Sequence, residues 1–198
     1  ICEAKFFEHS YGFRPERTCE HAISYFQKLA QRDKKHFVVD VDIKGFFDNI
    51  DHNVMINSLW DIGIRDKRVL CIIKQMLKAG VMKECSKSEM GTPQGGIISP
   101  LLANIYLNRF DNFITGDFER KKLKKTFSRR DGEISAMRKH SNLKTCYFVR
   151  YADDWVILTD NQEDAEKLKY KAKRYLKDTL KLELSEEKTL ITNVCSKP

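Results

Sequence analysis

Hydrophobic and polar positions follow two different periods along the chain. Residues 18–33 repeat apolar side chains at helical spacing, and Thr18 is placed to cap the helix that this spacing predicts. Residues 37–42 instead alternate between apolar and other side chains, which predicts a strand. One face of that strand is apolar, whereas the other carries Asp40 and Asp42, an unusual pair for so hydrophobic a strand.

Helix-start signals divide most of the remaining chain into amphipathic segments. Ser, Asp and Asn side chains before a periodic apolar run accept hydrogen bonds from the first unpaired backbone N–H groups of a helix, and proline fits the first helical position. One of these helices is predicted to end at Gly80, and the last, long one at Leu180. The start signals, in chain order, are Asp51, Asp66, Ser99 with Pro100, and Asp160 or Asn161.

Two short apolar runs, residues 147–150 and 155–158, flank an acidic stretch at residues 151–154 (YADD). The pattern predicts two strands joined by a tight turn that holds Asp153 and Asp154 at its tip. Adjacent carboxylates repel each other unless a cation lies between them, and Mg²⁺ prefers carboxylate oxygens while keeping room for substrate phosphates. Taken alone, the turn also fits an ordinary solvated loop, so the rest of the chain must decide.

The order of predicted elements indicates the fold class. Helix, strand, helices, hairpin, helix and a last short strand at residues 189–192 predict an α+β fold, in which helices pack against a small, mostly antiparallel sheet. Residues 117–142 form a polar, basic insertion that we expect to be partly helical at most, with a turn at Asp131 and Gly132. The insertion fits a solvated segment and a phosphate-binding arm equally well.

The overall charge is strongly positive. A net charge of +8 over 198 residues and a pI near 9.1 favour a polyanionic partner, with nucleic acid as the first candidate. No apolar run approaches the roughly 18 residues that a membrane span needs, so we expect no membrane partner, and the first residues do not resemble a signal peptide. Because the chain begins at Ile1 without a methionine, we expect it to be a fragment.

The six cysteines are scattered without a C-x-x-C spacing or a Cys/His cluster. Most lie in apolar surroundings, as Cys71 does. This argues against a zinc site or a disulfide framework and favours reduced core thiols in an intracellular protein.

The acidic positions suit one particular chemistry. Joining nucleotides is an in-line phosphoryl displacement, in which two metal ions roughly 4 Å apart hold the attacking hydroxyl, the reacting phosphate and the leaving pyrophosphate. Carboxylates from separate strands must then converge on one point. Asp42 at a strand end, together with Asp153 and Asp154 at a hairpin tip, meets that need. Each acid alone also fits a helix cap or strand-end carboxylate, but both sets together favour catalysis.

Five segments resemble the motifs of reverse transcriptases, in the form typical of group II intron-encoded proteins (maturases). They occur in the order of that family and cover almost the whole chain; the insertion at 117–142 matches least well. The segments are residues 11–17 (YGFRPER), 42–52 (DIKGFFDNIDH), 91–104 (GTPQGGIISPLLAN), 151–154 (YADD) and 184–189 (LSEEKT).

The resemblance implies a site for two Mg²⁺ ions, for which Mn²⁺ can substitute. It implies that Asp42 and Asp153 are direct metal ligands, that the Ile43 carbonyl completes one site, and that Asp154 supports them. Asp40 shares a strand face with Asp42, but the family places an aromatic gate about five positions after the ligand, which selects Asp42.

The resemblance also implies how the nucleotide is held. Arg14 and Arg17 would clamp the triphosphate, Phe47 would exclude a 2′-hydroxyl, and Lys188 would lie near the leaving pyrophosphate as charge stabiliser or proton donor. Phe46 and Phe47 also fit plain core packing, which we expect of one of the two. The nucleotide and template pocket would be lined by Gln94, Gly95 and Gly96.

The implied architecture is the fingers and palm of a right-hand polymerase without its thumb. We expect fingers at residues 1–35 and 60–92, and palm at 36–59 and 93–198. The implied reaction is nucleotidyl transfer from a dNTP to a DNA primer on an RNA template, and we expect these residues alone to polymerise poorly or not at all. Implied partners are intron RNA, template with primer, and dNTP, in the bacterial cytoplasm as an intron ribonucleoprotein or in an organelle.

Two alternatives stay open. The chain also fits a non-enzymatic module that binds intron RNA through its basic surface, although such a module gains nothing from acids clustered near phosphates. A retron-like or diversity-generating reverse transcriptase has the same implied fold. The sequence does not reveal whether the chain forms a homodimer.

Overall fold

A computed structural model describes most of the chain. The described residues are 1–79, 90–92, 96–116, 118–121, 126–140 and 145–194. Gln94 and Gly95, two of the predicted pocket residues, lie outside these ranges, as do Gly80 and part of the basic insertion.

Four strands of the described residues form one antiparallel sheet, as the sequence predicts. The strands are β1 (Phe37–Val41), β2 (Tyr147–Tyr151), β3 (Asp154–Thr159) and β4 (Leu190–Asn193). Their spatial order is β2-β3-β1-β4, and each neighbouring pair is antiparallel. The hairpin β2–β3 therefore lies beside β1, which places the end of β1 next to the hairpin tip.

Helices flank this sheet and carry most of the remaining described chain. They are α1 (Cys19–Gln27), α2 (His52–Ile62), α3 (Lys67–Ala79), α4 (Ser99–Gly116), α5 (Arg130–His140) and α6 (Gln162–Leu180). α1 continues into a π-helical turn, Lys28–Arg32, and short 3₁₀ turns occupy Glu3–Lys5 and Phe46–Asp48.

The predicted caps begin these helices. Asp51 Oδ1 accepts hydrogen bonds from the backbone N–H groups of Asn53 and Val54 at 2.8 and 2.9 Å, which starts α2. Thr18 begins α1 through a capping box. The sequence leaves open whether Asp160 or Asn161 caps α6. In the structure the cap is Asn161, whose side chain accepts a hydrogen bond from the Asp164 N–H at 2.8 Å. Local hydrogen-bonding chemistry thus fixes these boundaries.

The two faces of the sheet differ in cover. On one face, α4 and α6 bury apolar side chains; the Trp155 ring, for example, lies 4.4 Å from the Phe110 ring. On the other face, α1 covers only part of the sheet, so Tyr151 of β2 and Leu190 of β4 stay exposed. The predicted acids lie at one end of this more open face.

The predicted turn in the basic insertion is wrong. Asp131 and Gly132 lie in the first turn of α5. Met137 is buried and Ile134 packs against the core, so α5 buries an apolar stripe that outweighs the turn preference of an Asp-Gly pair. Asp131 and Glu133 also favour a helix N-terminus, because acidic side chains complement the helix dipole there.

The cysteine prediction holds only in part. Of the four described cysteines, Cys146 is buried, Cys2 is half-buried, and Cys19 and Cys71 are exposed. Ile73 and Leu77 form the buried side of α3, which leaves Cys71 facing solvent rather than in the core. Within the described residues, no helix is long and apolar enough to cross a membrane.

Candidate active site

The predicted acids converge at one end of the sheet. The last residue pair between β1 and β3 is Val41 with Trp155. Extending this register by one residue places Asp42 opposite Asp154, the first residue of β3. Asp153 precedes Asp154 in the two-residue turn of the hairpin, so strand pairing brings Asp42 next to both acids of the turn.

Electrostatic repulsion among these acids is evident in the pKa of Asp154. Burial raises this pKa above its ordinary value, and the nearby charges of Asp153, Asp42 and Asp40 raise it further. Lys188 acts in the opposite direction. The end of the sheet therefore concentrates negative charge that its own residues neutralise only in part.

Lys188 lies beside the predicted metal ligand Asp42. Its Nζ is 3.7 Å from Asp42 Oδ2, and 72% of its side chain is exposed. The exposure leaves the ammonium free to reach a phosphate, because a long lysine side chain in solvent reorients at low cost.

The Ile43 carbonyl points toward the hairpin side of β1. Ile43 forms an isolated antiparallel bridge with Leu184, in which the Lys44 N–H donates to Glu183 and the Ser185 N–H donates to Asp42, both at 2.9 Å. In this pattern the bridged residue directs its own N–H and C=O away from its partner. The Ile43 carbonyl therefore faces the side on which β3 and Asp153 lie.

This donor set fits Mg²⁺ in its chemistry. Two carboxylates and a backbone carbonyl are hard oxygen donors, and Mg²⁺ completes its shell with water and substrate phosphates rather than with an all-protein cage. Among the described residues, however, no group of three or more His, Cys, Asp or Glu side chains is arranged to hold a metal ion, so the metal site stays a prediction.

The two phenylalanines of segment 42–52 have different surroundings. Phe46 is buried, with its ring 6.3 Å from that of Tyr106, so it packs in the core. Phe47 is only half-buried and lies edge-on to Phe46 at 5.1 Å. Phe47 is therefore the member of the pair that a nucleotide can reach, and its gate role stays a prediction.

Segment 91–104 begins directly against these residues. The Gly91 N–H donates to Ile50 at 2.8 Å, the Thr92 N–H donates to Phe47 at 2.9 Å, and His52 Nε2 donates to the Gly91 carbonyl at 2.8 Å. Gly91 has a φ of +94° and approaches Asp48 so closely that only glycine fits without strain.

Of the predicted pocket residues in this segment, Gly96 is described. Its carbonyl accepts from the Ser99 N–H at 3.0 Å, at the start of α4. Gln94 and Gly95 lie between two stretches, 91–92 and 96–104, whose positions are described. Their pocket role stays a prediction.

Arg14, one of the two predicted triphosphate clamps, lies buried among contacts of the N-terminal segment. Only 3% of its side chain is exposed, and it forms a salt bridge with Glu3 at 2.7 Å. Its Nη1 also donates to the carbonyls of Phe7 and Ser10 at 2.6 and 2.7 Å. These contacts use the guanidinium to hold the N-terminal segment together, and its role in binding the triphosphate stays a prediction.

Arg17 is more accessible than Arg14. Its guanidinium lies 5.7 Å from the Tyr11 ring and donates to the Glu8 carbonyl, on a side chain that is half-buried. It is the member of the arginine pair that can turn toward a triphosphate.

Sequence reasoning missed a buried polar cluster behind the hairpin tip. Arg150, fully buried in β2, forms two hydrogen bonds to Asp111 and one to Asn104, both in α4. An arginine in an otherwise apolar strand, directly before the YADD stretch, is the signal that marks it.

Comparisons with known proteins identify the family of the chain. The sequence model of the family described as "Reverse transcriptase (RNA-dependent DNA polymerase)" matches residues 2–197. The group II intron-encoded protein LtrA of Lactococcus lactis subsp. cremoris is 36% identical over 98% of this chain and 38% of its own length. Protein YkfC of Escherichia coli (strain K12) is 32% identical over 98% of this chain and 54% of its own.

A solved structure shows the same fold. Apo telomerase from Candida tropicalis superposes with a TM-score of 0.61 over 93% of this chain and 33% of that chain, at 14% identity. A putative COX1/OXI3 intron 2 protein of Saccharomyces cerevisiae is 28% identical over 96% of this chain and 26% of its own length. The chain thus spans only part of these relatives. Its sequence and fold together show that it belongs to the reverse transcriptase (RNA-dependent DNA polymerase) family.

Proposed function

We propose that the protein is the RNA-directed DNA polymerase of a group II intron-encoded maturase. It transfers a nucleotide from a dNTP to the 3′-hydroxyl of a primer on an RNA template. The convergence of Asp42, Asp153 and Asp154 at the open end of one sheet, beside Lys188, carries this proposal. Acids held together in this way suit nucleotidyl transfer through divalent metals.

The residues divide the chemistry among them. Bound metal ions would activate the primer hydroxyl and neutralise the phosphates. Asp42, Asp153 and the Ile43 carbonyl would hold those ions, and Asp154 would support the set electrostatically. Lys188 would meet the charge that develops on the leaving pyrophosphate, because its ammonium is exposed beside Asp42.

The nucleotide would lie between the hairpin tip and segment 42–52. Phe47 would crowd a 2′-hydroxyl and so favour deoxynucleotides, and Arg17 would bind the triphosphate. Gln94, Gly95 and Gly96 would line the pocket, since glycine permits close approach of backbone to ligand.

Primer extension tests the proposal. Asp153→Asn preserves the size of the side chain, removes its charge and should abolish extension. Asp178→Asn, on the exposed side of α6, is the matched control and should extend like the unsubstituted protein. Extension that survives Asp153→Asn would refute the assignment.

A second role in binding intron RNA is favoured by the opposite end of the sheet. A cavity of about 510 Å³ there lies between α5 and the π-helical turn, next to Lys35 before β1 and Tyr147 of β2. Lys28, Arg32 and Arg138 also line it, together with Asp33 and Asp131. The cavity and the acidic turn lie at opposite ends of the sheet. RNA bound at the cavity would therefore not compete with the nucleotide at the acids, so one protein can both bind intron RNA and polymerise.

Salt dependence tests this second role. Removing one phosphate contact lowers the slope of log affinity against log salt by about 0.7 for single-stranded nucleic acid. Arg32→Gln and Arg138→Gln should each produce such a decrease in RNA binding. Arg174→Gln is the control, because Arg174 is exposed, lies outside the cavity and forms a salt bridge with Asp178. Equal slopes in all three variants would contradict an RNA contact at this cavity.

A further inference from the structure

Arg150 forms a buried polar link to the backbone of the acidic turn. Its Nε and Nη2 donate to the two carboxylate oxygens of Asp111 at 2.9 and 2.7 Å. Its Nη1 donates to Asn104 Oδ1 at 2.8 Å and to the Ala152 carbonyl at 2.7 Å. Ala152 precedes Asp153, so one rigid guanidinium connects α4 to the turn that carries the acids.

The same cluster holds the segment that contains Arg17. The Asn104 amide donates to the Gly12 carbonyl at 2.9 Å. The Tyr11 N–H donates to the Arg150 carbonyl at 2.8 Å. Gly12 lies so close to Ala152 that a Cβ on Gly12 would overlap the Ala152 backbone. Segment 11–17 and the acidic turn thus share one anchor.

This cluster is a costly way to achieve stability alone. The free-energy cost of taking both charges of an Arg–Asp pair out of water offsets much of their attraction. Apolar side chains of similar volume often stabilise a fold to the same extent. Burial raises the pKa of Asp111, although Arg150 opposes that change. What the pair adds is geometry, because a guanidinium fork fixes several acceptors at once. Ala152 needs such support, since its φ is +57°.

We propose that Arg150, with Asn104 and Asp111, is a positioning residue that couples metal binding at the acidic turn to nucleotide binding by segment 11–17. Arg150 fixes the Ala152 carbonyl and therefore the direction in which Asp153 leaves the turn. Asn104 fixes Gly12 and therefore the position of Arg17. This inference rests on the proposed polymerase function.

Replacing Asn104 tests the coupling without leaving a buried charge unpaired. Asn104→Ala frees both Gly12 and one donor group of Arg150. Because a displacement of about 1 Å can cost about 10²-fold in rate, we expect the Mn²⁺ affinity and kcat/KM for dNTP to fall by about 10-fold or more. Mn²⁺ affinity is read by electron paramagnetic resonance with primer, template and dNTP bound.

Asn108→Ala is the matched control. Asn108 lies one turn further along α4, is also buried, and its Oδ1 has no hydrogen-bond partner among the described residues. Its replacement should leave Mn²⁺ affinity and the KM for dNTP unchanged. If the Asn104 and Asn108 variants have the same Mn²⁺ affinity and KM, the coupling is wrong.

Asn104→Asp separates the two arms of the link. Its carboxylate still accepts from Arg150 but no longer donates to Gly12. We expect the KM for dNTP to rise about 10-fold while Mn²⁺ affinity in the absence of dNTP stays unchanged. If the KM for dNTP rose and the Mn²⁺ affinity fell together, the contacts of Asn104 with Arg150 and with Gly12 would not act separately.

Arg150→Lys removes the fork but retains the charge. One ammonium cannot reach Asp111, Asn104 and Ala152 with the same geometry, so Mn²⁺ affinity should fall as in Asn104→Ala. An unchanged affinity would overturn the proposal. If the unsubstituted protein neither binds Mn²⁺ nor extends a primer, the polymerase function itself is wrong. If it does both and only the variants behave like the control, the positioning role alone is wrong.

Discussion

The β2–β3 hairpin carries carboxylates at both ends, and the surroundings of these carboxylates differ between the two ends. At its base, Asp160 follows β3 and is fully paired: it forms a salt bridge with buried Lys35, and Thr145 Oγ1 donates to it at 2.6 Å. At its tip, Asp153 and Asp154 repel each other, and the pKa of Asp154 is raised by burial and by its acidic neighbours. A paired acid stabilises the fold, whereas a cluster of like charges provides a binding site for a cation.

The largest effect is expected from a substitution at the hairpin tip that leaves the base of the hairpin unchanged. Asp153→Asn should lower the primer-extension rate by at least about 10³-fold, comparable to the loss of a main electrostatic stabiliser of the transition state. The free energy of unfolding should stay the same or rise, because the substitution removes a repulsive charge. Rate is measured by primer extension and stability by urea unfolding. A large loss of stability would show that this acid has a structural partner.

The complementary substitution removes a charge at the base of the hairpin and leaves the tip unchanged. Asp160→Asn leaves Lys35 buried without its counter-charge, so the free energy of unfolding should fall by about 2 kcal/mol. Primer extension at a temperature where the variant stays folded should be nearly unchanged. Extension that falls as far as in Asp153→Asn would contradict the division between the two ends.

A smaller effect concerns selectivity beside the tip. Replacing Phe47 with Ala opens the space that a 2′-hydroxyl would occupy, so discrimination between dNTP and rNTP should fall by about 10- to 10²-fold. The measurement is the ratio of kcat/KM for the two nucleotides. Phe46→Ala, on the buried partner, should instead lower stability with little change in that ratio. The opposite result would assign the gate to Phe46.

The smallest effect concerns the cation that partly offsets the acids. Lys188→Gln should lower kcat about 10-fold with a modest change in KM, because the ammonium would act on the developing charge of the leaving group. Lys181→Gln is the control; this exposed lysine directly follows α6, and its Nζ donates to the Asp178 backbone carbonyl. Equal rates in the two variants would remove Lys188 from the mechanism.

The elements were predictable from sequence wherever short-range chemistry decides them. Asp51 and Asn161 begin helices through bonds to N–H groups two or three residues away, and β1 follows its own alternation. Asp131 and Gly132 were misassigned because their turn preference is local, whereas the burial of Met137 that makes α5 a helix is a tertiary effect. Periodicity carries no information on that packing.

The site was predictable to the extent that its motifs lie in separate, recognisable segments. Asp42 and Asp153 meet because strand pairing brings together residues far apart in sequence, and the motifs anticipate that pairing. Arg150 was missed because its partner Asp111 lies 39 residues away and nothing in either segment indicates the other. The buried contacts of Arg14 were missed for a similar reason, since its salt bridge to Glu3 spans 11 residues and lies partly outside the motif.

The most direct test of the central claim is a Mn²⁺ titration followed by electron paramagnetic resonance, with a chain-terminated primer, an RNA template and dNTP bound. If Asp42 and Asp153 hold the catalytic metals, the unsubstituted protein should bind two Mn²⁺ ions per chain, and Asp42→Asn and Asp153→Asn should each weaken that binding by about 10²-fold. Asp160→Asn should bind both ions normally. Unchanged Mn²⁺ binding in the Asp42 and Asp153 variants would contradict the account.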